Sequence, residues 1–271
     1  MRAVRVVAYV LLTLWAVLTL LPLYWMVVTA FKSQVAVQAI PPDWWPNPPT
    51  TMNFAVFFAR APALRWLFNS ALVATAVTLT TLLLASMAGY AFAKLSFPGK
   101  RLLFWLTMSI LVVPFEVKLV PLFELMARWS MVDTYFGLIL PAVAAPFSIF
   151  LMKQFMTTLP SEIFDAARID GASELAVFGR IVLPLSVPGL TVLAIFAFIG
   201  NWNAFIWPVI VTRSIEMRTL PPALAVLQLQ AYTDYGLQMA GSAFAAVPTI
   251  ALFLALQRYF LRGITIGALK G

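Results

Sequence analysis

Between Arg5 and Lys32 the chain reads VVAYVLLTLWAVLTLLPLYWMVVTAF, from Val6 to Phe31, with no charged residue in the run. A helix needs about 20 mostly apolar residues to cross the hydrocarbon core of a bilayer, and this run meets that length. Arg2 and Arg5 precede it as basic residues precede a secretory signal, but a signal core holds only about 7–15 apolar residues. The run is therefore read as a retained first span. The rest of the chain has the same character. Of 271 residues, 62% are hydrophobic and 10% charged, against about 45–50% and about 25% in soluble domains. Too little polar surface exists to cover a water-soluble globule, and a disordered chain is excluded on the same ground. What remains is an all-α membrane protein that crosses the bilayer several times.

Working outward from residues 6–31, five more apolar stretches qualify, at about 67–93, 102–126, 136–152, 186–211 and 240–260. The third is interrupted by Pro114, Glu116, Lys118 and Pro121. The expected fold is six transmembrane helices in a single domain over 1–271. Orientation follows from charge, because Lys and Arg collect on the cytoplasmic side. With the N-terminus inside, the inner loops hold eleven of the 18 basic residues and four of the 10 acidic ones, an excess of seven. The outer loops hold seven basic and six acidic residues. Both termini are thus expected in the cytoplasm. The formal charge of +8 reports this asymmetry rather than a nucleic-acid partner.

The chain has no Cys and no His. Disulfides, thiolate catalysis and zinc–thiolate sites are excluded, and the commonest general base and metal ligand are missing. No metal site is expected. Within the spans, Ala85, Gly89 and Ala93 form one small-residue line, and Gly241 and Ala245 another. Such lines let helix backbones approach closely. Glu116 and Lys118 read either as a solvated helix end or as the lining of a transport pathway. Asn201 and Asn203, flanking Trp202, read either as hydrogen-bonding glue between helices or as solute-facing amides.

The longest inner segment runs through Leu159-Pro160-Ser161-Glu162-Ile163-Phe164-Asp165-Ala166-Ala167-Arg168-Ile169-Asp170-Gly171-Ala172-Ser173-Glu174 to Pro184. It reads as two short helices. Pro160 suits a first helical turn, and Glu162 and Asp165 suit a helix start. Gly171 ends the first helix in a left-handed conformation, and Ser173 caps the second. Phe164, Ala167 and Arg168 share one face at i, i+3, i+4 spacing, with Phe164 expected as an exposed apolar knob. Two uses fit such a helix: docking into a groove of another protein, or lying on the lipid surface.

The run Asp165-Ala166-Ala167, then Gly171 and Ile181-x-Leu183-Pro184, resembles the EAA loop of ABC importer permeases. The likeness extends to Gly137-Leu138-Ile139-Leu140-Pro141, Asn201-Trp202-Asn203, Trp207-Pro208, Thr219-Leu220-Pro221, Gln257-Arg258-Tyr259-Phe260 and Gly267 to Gly271. Together they resemble the carbohydrate-type permeases of the maltose-transporter G type. Asp165 stands where that family usually has Glu. The resemblance implies a type I ABC importer permease fold, with coupling helices at about 159–184 between spans four and five. It implies a multi-pass subunit of a bacterial or archaeal cytoplasmic (inner) membrane, importing a sugar or oligosaccharide with the help of an extracytoplasmic solute-binding protein. The other implied partners are a second permease chain and an ATPase dimer.

By the same resemblance, Phe164, Asp165, Ala166, Ala167, Arg168, Asp170 and Gly171 contact or shape the ATPase contact, and the tail Leu269, Lys270 and Gly271 approaches the ATPases. Asn201, Asn203 and Glu116 are the candidate solute pathway. No Gly-rich run ends in Gly-Lys-Ser/Thr, so a phosphate-binding loop is absent. ATP and Mg therefore belong to partner subunits, and this chain is expected to bind no cofactor and to be no enzyme. The rival readings are a glycerol-phosphate importer of the same family, a self-sufficient secondary transporter, and an intramembrane enzyme.

Overall fold

The computed structural model describes residues 2–143, 145–230 and 234–268. Among them every regular element is helical. Helix α1 covers Arg2–Ala30, α2 Gln34–Val37, α3 Met52–Arg60 and α4 Ala63–Lys94. Then follow α5 (Lys100–Ser109), α6 (Phe115–Arg128), α7 (Tyr135–Ile139), α8 (Pro146–Thr157), α9 (Glu162–Ile169) and α10 (Glu174–Val177). A π-turn, Phe178–Val182, leads to α11 (Leu183–Leu185), α12 (Val187–Trp202), α13 (Ile206–Val211), α14 (Leu220–Gln230) and α15 (Tyr235–Ala268).

Two straight helices, Val4–Ala30 and Ala63–Lys94, are long and apolar enough to cross a membrane. Three further stretches reach that standard only as bent pairs. Lys100–Val112 meets Phe115–Arg128 at 101°, Tyr135–Ala142 meets Pro146–Thr157 at 45°, and Glu174–Leu185 meets Val187–Trp202 at 76°. The interruption expected at Pro114 within 102–126 is thus a sharp bend, the stretch 136–152 is bent as well, and 186–211 begins at the third bend and is broken again between Trp202 and Ile206. The reason is proline, whose ring clashes with the carbonyl four residues earlier and which brings no N–H. Pro114 aims that clash at Ile110, where α-helix gives way to a 3-10 turn, and Val113 before it is extended at φ −80°, ψ 114°. Pro146 aims it at Ala142, the last residue of the preceding 3-10 turn. Pro208 aims it at Ala204, inside the gap that parts α12 from α13. Near the C-terminus, residues 240–260 lie within α15, which starts earlier because Asp234 Oδ1 accepts the Leu237 N–H at 2.9 Å and caps it.

The chain forms two compact units, Met1–Leu67 with Leu220–Pro248, and Phe68–Thr219 with Thr249–Gly271. In the first, Asn53 Nδ2 donates to the carbonyls of Ala30 at 2.9 Å and Lys32 at 2.8 Å. Phe57 is fully buried beside Phe244. Gly241 meets the expectation of close approach, since a β-carbon there would lie 2.7 Å from Leu224 Cδ2.

The second unit has two apolar clusters. One gathers Ala85 and Tyr90 of α4, Met152 and Met156 of α8, Phe164, Val177, Phe178, Val182 and Leu193. The other gathers Val73, Val77, Met126, Leu138, Trp207 and Val211. Gly89 sets the distance between α4 and α8: a β-carbon there would sit 2.7 Å from Met152 Cβ and 3.0 Å from the Lys153 backbone nitrogen. The small-residue line on α4 is thus a packing surface.

Candidate functional site

The segment from Leu159 to Pro184 folds as two short helices, α9 and α10, with a tight turn between them. Helix α9 starts at Glu162, so Pro160 lies just ahead of it rather than in its first turn. The Ser161 carbonyl accepts from Phe164 and Asp165 N–H. The Ser161 hydroxyl makes no cap and instead accepts from Lys94 Nζ at 3.2 Å. At the other end Gly171 has φ 83°. The Ala172 N–H donates to Ala167 O and the Gly171 N–H to Arg168 O, both at 3.0 Å. These two bonds close a Schellman turn, which places its C′ residue in the left-handed region. Ser173 Oγ then accepts the Ala176 N–H at 3.3 Å and caps α10.

The C-terminal end of α4 holds this segment through two side chains. Lys94 Nζ donates to Leu159 O at 2.6 Å and lies 5.4 Å from the centre of the Phe164 ring. Tyr90, 4% exposed, donates its hydroxyl to Glu174 Oε2 at 2.7 Å. Arg168 joins the group: its Nε donates to Glu174 Oε1 at 2.7 Å, Nη1 to Asp165 Oδ1 at 2.9 Å, and Nη2 to the Tyr90 hydroxyl at 3.4 Å. These charges tune one another. Hydrogen bonds from Arg168 first, and Tyr90 second, hold the Glu174 carboxyl below the usual glutamate range. The Glu174 carboxylate in turn pushes the Arg168 guanidinium above its usual value against the cost of burial, with Asp165 helping.

Phe164 is the correction here. It is 1% exposed, an anchor within the Met152–Met156–Val177 cluster and not an outward knob. Ala167 packs against the same cluster, and Arg168 turns inward to Glu174 and Tyr90. Asp165, Ala166, Asp170 and Gly171 are exposed. The outward apolar face is carried by residues the sequence reading passed over: Ile163 at 43% exposed, Ile169 at 85% and Leu175 at 75%. The signal for them was present, since Ile163, Ala166 and Ile169 recur every third residue off the Phe164 face. Tyr90 and Lys94 had no local signal. Leu269, Lys270 and Gly271 lie outside the described residues.

Where α12 breaks, the second unit holds a cavity of about 390 Å³. Asn201, Ala204, Phe205 and Trp207 form part of its wall, together with Phe115, Pro141 and Thr219. Of the expected pathway residues, Asn201 lies on this wall, whereas Asn203 and Glu116 are exposed and do not. Asn201 Nδ2 donates to Ala197 O of its own helix at 2.7 Å, not across to a neighbour. Trp207 Nε1 donates to Gly137 O at 2.9 Å and fixes α13 to α7.

The loop after α13 is pinned as well. Asp133 Oδ1 accepts from the Arg213 N–H at 2.8 Å and the Ser214 N–H at 3.1 Å. Burial opposes its charge, but those two donors outweigh it and hold the carboxyl below its usual range. Asn69 Nδ2 donates to the Glu216 and Arg218 carbonyls at 2.6 and 2.9 Å, and its Oδ1 accepts from the Tyr135 hydroxyl. Among the described residues no group of three His, Cys, Asp or Glu side chains is placed to hold a metal.

Apolar spans, broken helices around a cavity and a docked helix pair with an outward apolar face define a membrane transport subunit. The chain belongs to the family of binding-protein-dependent transport system inner membrane components, whose model matches residues 81–266. It is thus a multi-pass inner membrane permease and not an enzyme. It is 41% identical over 227 residues to the arabinooligosaccharide transport permease AraQ of Halalkalibacterium halodurans, covering 83% of this chain and 81% of that one. It is 34% identical to the sn-glycerol-3-phosphate transport permease UgpE of Yersinia enterocolitica, covering 97% and 96%. Against the diacetylchitobiose uptake permease NgcG of Streptomyces coelicolor the identity is 30%, with 99% and 90% covered.

The fold is shared with a chain of a bacterial ABC transporter involved in import of the acidic polysaccharide alginate, at TM-score 0.82 and 22% identity over 96% of this chain and 97% of the other. A second match, at TM-score 0.63 and 19% identity, is the bacterial alginate transporter in complex with an alginate pentasaccharide-bound periplasmic protein.

Proposed function

We propose that this chain is the carbohydrate-type permease of an ATP-driven importer for a sugar or oligosaccharide. It crosses the membrane six times, with α1, α4, the pairs α5–α6, α7–α8 and α12–α13, and the 240–260 part of α15 as the spans, and with both termini in the cytoplasm. The observation that carries the reading is the pair α9–α10: bolted inward by Phe164, Arg168 and Glu174, it turns Ile163, Ala166, Ile169 and Leu175 outward. An exposed apolar face on a firmly held short helix fits a groove in another protein better than a lipid surface. The occupant is a partner ATPase, which supplies ATP and Mg.

ATP-driven closure of the ATPase dimer pushes α9. Lys94 and Tyr90 pass that displacement to α4, and the π-turn and α11 pass it to α12. The spans of this chain and of a second, different permease chain then turn from inward- to outward-facing. A solute-binding protein docks on the outer loops, chiefly 212–239, and releases its cargo. The identity to the arabinooligosaccharide permease, 41%, exceeds the 34% to the sn-glycerol-3-phosphate permease, which favours a sugar over glycerol phosphate.

The test is reconstitution of the full importer in proteoliposomes with ATP on the ATPase side. Ala166→Arg and Ile169→Asp are expected to insert normally, to lose co-purifying ATPase and to lower saccharide uptake at least tenfold. Uptake at the unmodified rate from both variants overturns the coupling role.

A further inference from the structure

Three interruptions of helical structure meet at one cavity. Phe115 follows the 101° bend at Pro114, Ala142 precedes the 45° bend, and Ala204 and Phe205 lie in the gap between α12 and α13; all four lie on the wall of the 390 Å³ space. Irregular backbone at membrane depth persists where protein buries it or where it lines a water-filled cavity. Many secondary transporters place their substrate sites at such discontinuous helices, because the freed backbone and the gap between half-helices make room for a ligand. A second observation is independent of the backbone. Thr219 is 4% exposed and on this wall, yet its Oγ1 has no hydrogen-bond partner. A buried hydroxyl without a partner is destabilising, and a ligand hydroxyl would relieve it.

The chemistry of the wall is specific. Ala197 O only accepts, so the Asn201 nitrogen must face it, and the amide oxygen is the atom left to accept from a ligand. Thr219 Oγ1 both donates and accepts. Phe115, Phe205 and Trp207 supply flat apolar faces. Among the described residues no Lys, Arg, Asp or Glu lines the space. A phosphate or carboxylate there would lose its hydration with no cation to replace it. A sugar ring, apolar on its C–H face and hydroxylated at its rim, finds complements for both.

We infer that this cavity is a solute subsite contributed by this subunit itself, taking one ring of an uncharged saccharide against Phe115, Phe205 and Trp207 with hydroxyls on Asn201 and Thr219. The inference rests on the importer reading above and deepens it to an uncharged saccharide bound by this subunit.

The chain has no cysteine, so Ala204→Cys introduces the single thiol of this subunit. In the reconstituted complex that thiol is expected to react with a cationic methanethiosulfonate reagent, which needs water to reach it. Arabinotriose or diacetylchitobiose should slow the reaction at least fivefold, and sn-glycerol-3-phosphate should leave it unchanged. Thr219→Val, nearly the same shape, should lower saccharide taken up per ATP hydrolysed severalfold; this second variant decides the matter should Ala204→Cys fail to assemble. A thiol that never reacts, because lipid or a partner helix fills the space, overturns the subsite. So does labelling indifferent to both saccharides, labelling slowed by glycerol phosphate, or an unchanged uptake-to-hydrolysis ratio in Thr219→Val. Failure of the unmodified complex to take up either saccharide overturns the sugar-importer reading; uptake with an unprotected thiol overturns only the subsite.

Discussion

Replacing Gly171 by alanine and, separately, by leucine divides two effects that a single substitution would merge. Gly171 sits at φ 83° in the turn between α9 and α10, and a β-carbon built there meets nothing within 4 Å. Within the chain the penalty is therefore one of backbone conformation alone, about 1–2 kcal/mol for a residue other than glycine in the left-handed region. That penalty is the same for alanine and leucine. In a subunit of this size it lowers the melting temperature by roughly 2–8 °C, which scanning fluorimetry of the purified complex in detergent would read. Gly171→Asn should lose less, because asparagine tolerates this conformation. If α9–α10 seats in an ATPase groove, leucine carries a further effect that alanine lacks, since its side chain projects into the space the partner needs. Co-purifying ATPase and uptake should then fall at least tenfold further in Gly171→Leu than in Gly171→Ala, at equal melting temperature. Normal uptake from Gly171→Leu, or equal losses from both variants, would refute the docking argument.

Phe164→Ala should cost about 3–5 kcal/mol, the range for a large buried side chain; amide exchange should accelerate across residues 162–177 while α12 stays protected, and unchanged exchange would show that Phe164 is no anchor. Gly89→Val forces apart α4 and α8 at the 2.7 Å approach to Met152, and a loss of about 1–3 kcal/mol or more should appear as a lower melting temperature. Glu174 has its pKa depressed in the folded chain, so its contribution is full above the ordinary glutamate value and disappears as the pH falls through the depressed one. Exchange protection of α10 should collapse on acidification in the unmodified protein and respond far less in Glu174→Gln, with identical acid profiles counting against the ion pair. Asp133→Ala removes a carboxylate from two backbone N–H groups and should free the loop at 212–219 by about 1–3 kcal/mol, seen as faster proteolysis at Arg213.

What the sequence disclosed was what local or bilayer physics dictates. The run 6–31 had to be a span because nothing else accommodates so long an uncharged apolar stretch. Gly171 and Ser173 were legible because a left-handed turn and an N-cap are decided within a few residues. Of the helix breaks, the one at Pro114 was legible, but proline alone does not specify a break. Pro22, Pro121 and Pro248 lie inside continuous helices, while interruptions lie at or shortly before Pro114, Pro146 and Pro208. The orientation of α9 was misread for a related reason. Helical spacing placed Phe164 and Ala167 on one face, but only the partner surface of α4 and α8 says that this face is buried. Tyr90 and Lys94 reach partners 84 and 65 residues further along the chain, distances over which no spacing rule operates.

The inward bolting of α9 bears on how assembly proceeds. A loop that became ordered only when an ATPase arrived would subtract about 1–2 kcal/mol of conformational entropy per residue fixed from the binding energy. Here Phe164, Lys94, Arg168 and Glu174 have already ordered the segment within its own chain. Docking then resembles the meeting of two rigid bodies, preorganised for affinity. On the proposed coupling role the same rigidity would govern force: held to α4 through Lys94 and Tyr90, the segment would hand a small push to that helix with little slack.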